Sequence, residues 1–182
     1  MDVIRAVFTQ TDLAQLPEDG KRYEILEGDL AASPSPNRKH QLAVWNLVNF
    51  FTQVQKAGWG RGYAAPFDVV FDEYNVTVPD VLFIRKDRLS IVTDANVQGA
   101  PDLVVEVLSP STRARDLGVK VHLYARFRVP EYWVVDPEEA SVTVYRLTEE
   151  GYQVEGPFHG ADEVHTPLFP DTLLTVAQLF QD

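Results

Sequence analysis

The stretch GAPDLVVEVLSPSTRARDLGVKVHLYARFRVPEYWVVDP, residues 99–137, decides the fold. DLVVEVL has the length and β-branched density of a buried strand, and the proline of SPST ends it. Ser111 or Thr112 can then cap a helix over 113–127, and EYWVVD is a further strand closed by the Asp136-Pro137 turn. Alternate strand residues share a face, so Asp102, Val104, Glu106 and Leu108 point one way and Leu103, Val105 and Val107 the other. Glu106 therefore lies inside an apolar strand, where a carboxylate must be paired, metal-bound or exposed at a cleft.

Upstream, TVPDVLFIR carries a second acid, Asp80, at the start of another apolar run, and YAAPFDVVFD is a third β-rich segment. Asp72, Glu73, Tyr74 and Asn75 suit a hairpin between these two, and 85–100 is a longer connection with a helical turn near DRLSIV. Before them, Leu42, Trp45, Leu47, Val48, Phe50, Phe51 and Val54 are dense enough for a helix from Arg38 to about Lys56, buried over much of its circumference and stopped at Gly58. From residue 38 to 136 the order is αβββαβ.

Residues 1–37 read as a short helix through TDLAQL capped by Thr9 or Thr11, a turn at PEDG, a hairpin RYEILEGDLAA around Glu27-Gly28, and a loop SPSPN. Residues 137–182 read as a hairpin of VTVYRL and YQVEG followed by a terminal helix TVAQLF. The whole is one α/β (α+β) domain, a mixed sheet flanked by helices.

The absence of cysteine excludes disulfides, thiolate zinc sites and cysteine nucleophiles, and suits a reducing compartment; a cytoplasmic location is expected. The N-terminus lacks the pattern of an export signal, and no stretch is long and apolar enough to span a bilayer. The net charge of −11 opposes generic affinity for nucleic acid. Its distribution is uneven: residues 1–130 sum to −1, and residues 131–182, with 11 acids and only Arg146, to −10.

Helix positions four apart stack, which places Asp116, Lys120 and Tyr124 on one stripe. A helix that follows the Glu106 strand after a short turn packs back on the sheet and aims that stripe at the strand's C-terminal end. Asp80, Glu106 and Lys120 form the expected site. Asp102 lies about 13 Å from Glu106 along the strand, too far to share a cation, and is read as structural. Asp116 is expected to face solvent or to pair with Arg113 or Lys120. Arg113, Arg115, Lys120, Arg126 and Arg128 read mainly as solvated charges, His122, His159 and His165 as surface or packing residues, and Trp45, Trp59 and Trp133 as core.

The αβββαβ order, the proline-aspartate start of the middle strand, and EVLSPSTR followed by Asp116, Lys120, Tyr124 and EYWVVDP resemble the Uma-two family of restriction-endonuclease-like proteins, within the PD-(D/E)XK nuclease superfamily. The resemblance runs from RYEILEG to LFPDTLLTVAQLF. It implies a divalent-metal phosphodiesterase, with Asp80 and Glu106 as ligands of Mg²⁺ or Mn²⁺. Leu108 stands where the superfamily carries lysine, and Lys120 is the migrated substitute. Glu24 or Glu27 from the first hairpin, His40 and Tyr124 are possible additional members. DNA is the implied substrate and a homodimer the implied assembly, since two cuts are needed to sever a duplex. The alternative is a catalytically inactive nuclease-fold module for binding or assembly, with the acidic C-terminal quarter as a partner surface.

Overall fold

The structure, a computed structural model, describes residues 6–17 and 19–181. The expected turn at 17–20 contains Glu18, and the stretch read for an export signal contains residues 1–5; these residues lie outside the described set. Helix α1 (Gln10–Leu13) is a single turn capped by Thr9. Strands β1 (Arg22–Leu26) and β2 (Asp29–Ser33) form the first hairpin. Its turn puts Glu27 at φ 54° and Gly28 at φ 80°, the left-handed pair that a two-residue hairpin of native twist requires.

Helix α2 (Arg38–Lys56) has the expected bounds, and its cap Asn37 accepts a hydrogen bond from His40 N at 3.0 Å. It buries one stripe only: Ala43, Leu47, Phe50, Phe51 and Val54 face inward, whereas Trp45 is 67% exposed. The density of apolar residues overstated this helix's burial. Trp45, three residues after Leu42 and three before Val48, falls on the flank that nothing covers. Of the other tryptophans, Trp133 is buried and Trp59 half-buried.

The segment expected as one strand, YAAPFDVVFD, is divided by Pro66. Strand β3 (Gly60–Ala64) and strand β4 (Asp68–Asp72) belong to different sheets. TVPDVLFIR is divided likewise at Val78, Pro79 and Asp80, into β5 (Asn75–Thr77) and β6 (Val81–Arg85). Proline lacks a ladder donor, so each proline marks the point where the chain leaves one sheet for the other. A 3-10 helix (Lys86–Ile91) and β7 (Asn96–Gln98) lead to β8 (Leu103–Val107).

The helix expected over 113–127 is broken into α3 (Arg113–Asp116) and α4 (Val119–Arg126). Gly118 causes the break: it adopts φ −120°, ψ −103°, and a Cβ there would meet the Ala114 carbonyl oxygen at 2.6 Å. Strands β9 (Glu131–Asp136), β10 (Ser141–Thr148) and β11 (Gly151–His159) follow, then the short pair β12 (Glu163–Val164) and β13 (Leu174–Thr175). The expected terminal helix is one 3-10 turn (Val176–Leu179).

The larger sheet runs β11-β10-β9-β8-β6-β3 and the smaller β2-β1-β5-β4-β7. In the larger sheet β8 and β9 are parallel, joined through α3 and α4, and the remaining pairs are antiparallel. Leu103, Val105 and Val107 pack with α2 and with Phe169, Leu174, Val176 and Leu179 from the chain's end. Val104 and Leu108, on the opposite face, pack with Leu26, Leu123, Tyr124 and Tyr132. The acidic stretch, described over 137–181, is thus woven into the central sheet and core. Among the described residues no helix is long and apolar enough to cross a membrane.

Candidate active site

Asp80 and Glu106 are brought together by strand register. Val81 pairs with Val105 in the antiparallel β6–β8 ladder, so the next position sets Asp80 opposite Glu106 on the same face. Val107 N donates to Asp80 Oδ2 at 2.9 Å, replacing a ladder bond with a bond to the carboxylate. His40 Nε2 lies 3.1 Å from the same oxygen, and Arg22 Nη1 donates to Asp80 Oδ1 at 2.9 Å. His40 reaches it because the Asn37 cap fixes the first turn of α2 over the end of β6.

Lys120 lies at the centre of the cluster. Its Nζ is 2.8 Å from Glu106 Oε1, 2.8 Å from Glu24 Oε1 and 3.4 Å from Asp116 Oδ1. Tyr124, one turn later on α4, donates its hydroxyl to Glu106 Oε1 at 2.9 Å, and Val78 N donates to Glu24 Oε1 at 3.0 Å. Glu24, Asp80, Glu106, Asp116 and Lys120 are each exposed by 4% or less. They lie at the base of a cleft of about 170 Å³ whose rim carries Ser33, Ser35, Ser109, Ser111 and Thr112.

Charge sets this cluster apart. Four buried carboxylates face two cations, Lys120 and Arg22. Burial, then the neighbouring Asp116, Asp80 and Glu24 carboxylates, push Glu106 up to about 8 despite Lys120. Burial also works against the Lys120 charge, but Glu106, Glu24 and Asp116 outweigh it and hold the ammonium protonated. Asp116 is raised, chiefly by burial. Burial acts on Asp80 in the same sense, yet the bonds from His40 and Arg22 prevail and lower it. Burial and mutual crowding thus favour the protonated forms of Glu106 and Asp116. His40 Nδ1 is buried without a hydrogen-bond partner, and Asp116 Oδ1 has none beyond its 3.4 Å ion pair with Lys120.

Of the residues singled out in the sequence, Asp80, Glu106, Lys120, Glu24, His40 and Tyr124 converge here. Glu27 does not: it sits on the exposed hairpin turn and pairs with Arg126 at 2.8 Å. Of the two placements expected for Asp116, the structure shows the pairing with Lys120, with the carboxylate buried in the cluster rather than facing solvent. Arg22 was not singled out, although it lies two residues before Glu24 on one strand and so shares its face. Asp102 is remote, held by Arg88 Nη1 at 2.8 Å and Arg85 N at 2.9 Å. Leu108, in the place of the expected lysine, is buried among apolar side chains. Arg113 pairs with Asp136, and Arg115 donates to the Ala32 carbonyl and Ser33 hydroxyl. His122, His159 and His165 are exposed.

Four buried carboxylates whose crowding disfavours full ionisation, one with an oxygen that accepts no hydrogen bond, fit a hard divalent cation, whose charge would favour their ionised forms. Among the described residues no three His, Asp or Glu side chains form a ready ligand shell. One or two carboxylates would hold the ion while it kept several waters, the arrangement Mg²⁺ favours.

A mixed central sheet in αβββαβ order, with paired acids on neighbouring strands and a lysine over them, defines a protein of the restriction-endonuclease-like class. The family model Uma2, described as "Putative restriction endonuclease", matches residues 11–177, and the chain belongs to that family. A solved structure described as a putative nuclease belonging to DUF820, from Anabaena variabilis, superposes with a TM-score of 0.78 at 26% identity, over 95% of this chain and 97% of that one. An uncharacterised protein of Synechocystis sp. is 27% identical over 135 residues, 72% of this chain and 69% of its own length.

Proposed function

We infer that this protein is a divalent-metal-dependent nuclease that hydrolyses DNA phosphodiester bonds at the Asp80–Glu106–Lys120 cluster. The observation that carries this reading is the buried surplus of carboxylates around one lysine, at the base of a cleft. Family membership and the description of the Anabaena structure as a nuclease support it.

Asp80 and Glu106, with Glu24 and Asp116 beside them, would hold Mg²⁺ or Mn²⁺, which supplies Lewis acidity toward a phosphate oxygen and lowers the pKa of bound water. Lys120 does two things. It keeps Glu106 and Glu24 turned toward one another, and its ammonium, charged and desolvated, stabilises negative charge that grows on a phosphoryl group in the cleft. Tyr124 fixes the Glu106 carboxyl through its hydroxyl, and His40 and Arg22 hold Asp80 in one orientation. Lysine on a helix thereby takes over the position that Leu108 vacates on the strand.

The test is incubation of the protein with DNA and Mg²⁺ or Mn²⁺. Nicks are expected, and Asp80→Ala or Glu106→Ala should lower the rate at least 100-fold, within the range for loss of a group stabilising the transition state. Equal rates in those variants would refute the site. The competing reading, an inactive binding or assembly module, draws on the lack of a ready metal shell among the described residues. It requires that saturating Mg²⁺ or Mn²⁺ leave the melting temperature unchanged, whereas an ion at 100 times its Kd stabilises by about 2.7 kcal/mol.

A further inference from the structure

A second space, of about 270 Å³, adjoins the catalytic cleft. Arg22, His40, Asp80 and the segment 33–36 line both spaces and so form the partition between them. Beyond it the second space is walled by Gln41 and Val44 of α2 and by Ala65 and Pro66. Gln41 and Trp45 lie four apart on α2 and so share a stripe, and Trp45 presents its indole to solvent one turn past the end of that space. A carboxylate-lined recess thus adjoins a second recess that shares its arginine, and the helix that walls the second recess carries an exposed indole one turn beyond Gln41.

The dimensions select a substrate. The carboxylates and Lys120 lie below the surface and line the recess of about 170 Å³; of them Asp80 alone also borders the recess of about 270 Å³. A duplex carries its phosphates on a stiff rod and cannot lower one into such a recess without separating its strands; a single strand is flexible and already unstacked. Proteins that hold single strands pair cationic groups along the backbone with aromatic platforms for the bases. Arg22, shared by both recesses, and Trp45 supply one of each.

We propose that the substrate is a single strand or an unpaired end, which runs from the catalytic recess past the 33–36 segment and stacks a base on Trp45. This rests on the phosphodiesterase reading of the same site. Trp45 is a positioning residue, remote from the reacting atoms.

The test uses the full chain in Mg²⁺ with a phosphorothioate oligothymidylate of about a dozen nucleotides, which resists cutting, and a duplex of the same length. The single strand should bind at least tenfold more tightly and quench tryptophan emission. Trp45→Ala should weaken it about tenfold, the loss expected of one stacked base. Trp45→Phe should stay within about threefold of the wild type and abolish most of the quench. Tighter or equal binding of the duplex, unchanged affinity in Trp45→Ala, or a dimer that Trp45→Ala converts to monomer would each overturn the proposal; the last would assign this face to a second copy of the chain. Strand binding is read without hydrolysis. A protein that binds the strand through Trp45 yet never cuts refutes the nuclease reading alone, and one that cuts and binds duplex as well refutes the single-strand proposal alone.

Discussion

Two glutamates on neighbouring parallel strands, Glu106 on β8 and Glu131 on β9, are buried to the same degree and meet different company. Glu131 accepts from Trp133 Nε1 at 2.9 Å, Thr166 Oγ1 at 2.8 Å and Arg146 Nε at 3.2 Å. It has three donors, and its cation, Arg146, also donates to Glu155 and to the His165 carbonyl. Glu106 shares its one cation with Glu24 and Asp116 and opens onto a cleft. Burial of an acid is common to structure and function. What sets the proposed site apart from the clamp is more carboxylates than cations, together with access from outside.

Three substitutions would break or sharpen that contrast. Lys120→Met removes the cation from three buried carboxylates and should cost about 3–5 kcal/mol in urea denaturation, the usual penalty for breaking a buried pair. Glu131→Gln leaves one carbonyl oxygen for the Thr166 and Arg146 donors, sets its NH2 against the Trp133 N–H and loses the charge that assists the Arg146 bond, and should cost about 1–3 kcal/mol. Glu106→Gln, made at an equally buried glutamate whose carboxyl is pushed up to about 8, replaces a largely protonated acid and keeps an acceptor for Lys120 and Tyr124; it should change stability by no more than about 1 kcal/mol, in either direction. Equal losses at Glu106 and Glu131 would erase the distinction.

The smallest effect lies at the pair of half-exposed Arg113 and buried Asp136, 2.7 Å apart. Burial works to raise the Asp136 carboxyl, but Arg113 and the N–H groups of Glu139 and Glu138 outweigh it and lower it. A lowered acid contributes stability above its unfolded-state pKa of about 3.9 and loses it as pH falls through the folded value. The wild type should therefore exceed Arg113→Ala by less than about 1 kcal/mol at pH 6, and the gap should close below pH ~4.

Much of this site was legible because its chemistry conflicts with its surroundings. An acid amid DLVVEVL or ahead of VLFIR needs compensation wherever the chain folds, and a lysine four residues after Asp116 supplies it. The misreadings came from context that local pattern does not carry. Trp45 looks like core until the helix's uncovered flank is known, and Arg22 meets Asp80 across 58 residues of chain. Glu27 could have been set aside on alternation alone, since three residues from Glu24 is the opposite face of a strand. The division of two apolar runs at Pro66 and at Pro79-Asp80 was written in the prolines, but not the fact that the halves would join separate sheets.

Glu24 rides on β1 of the smaller sheet and Glu106 on β8 of the larger, and Lys120 bonds to both. In mechanical terms that lysine is a rivet through two plates. Any shear between the plates would be felt first at the carboxylates, so the rigidity of the framework and the alignment of the clustered acids are one property, and mutation cannot relax the first without disturbing the second.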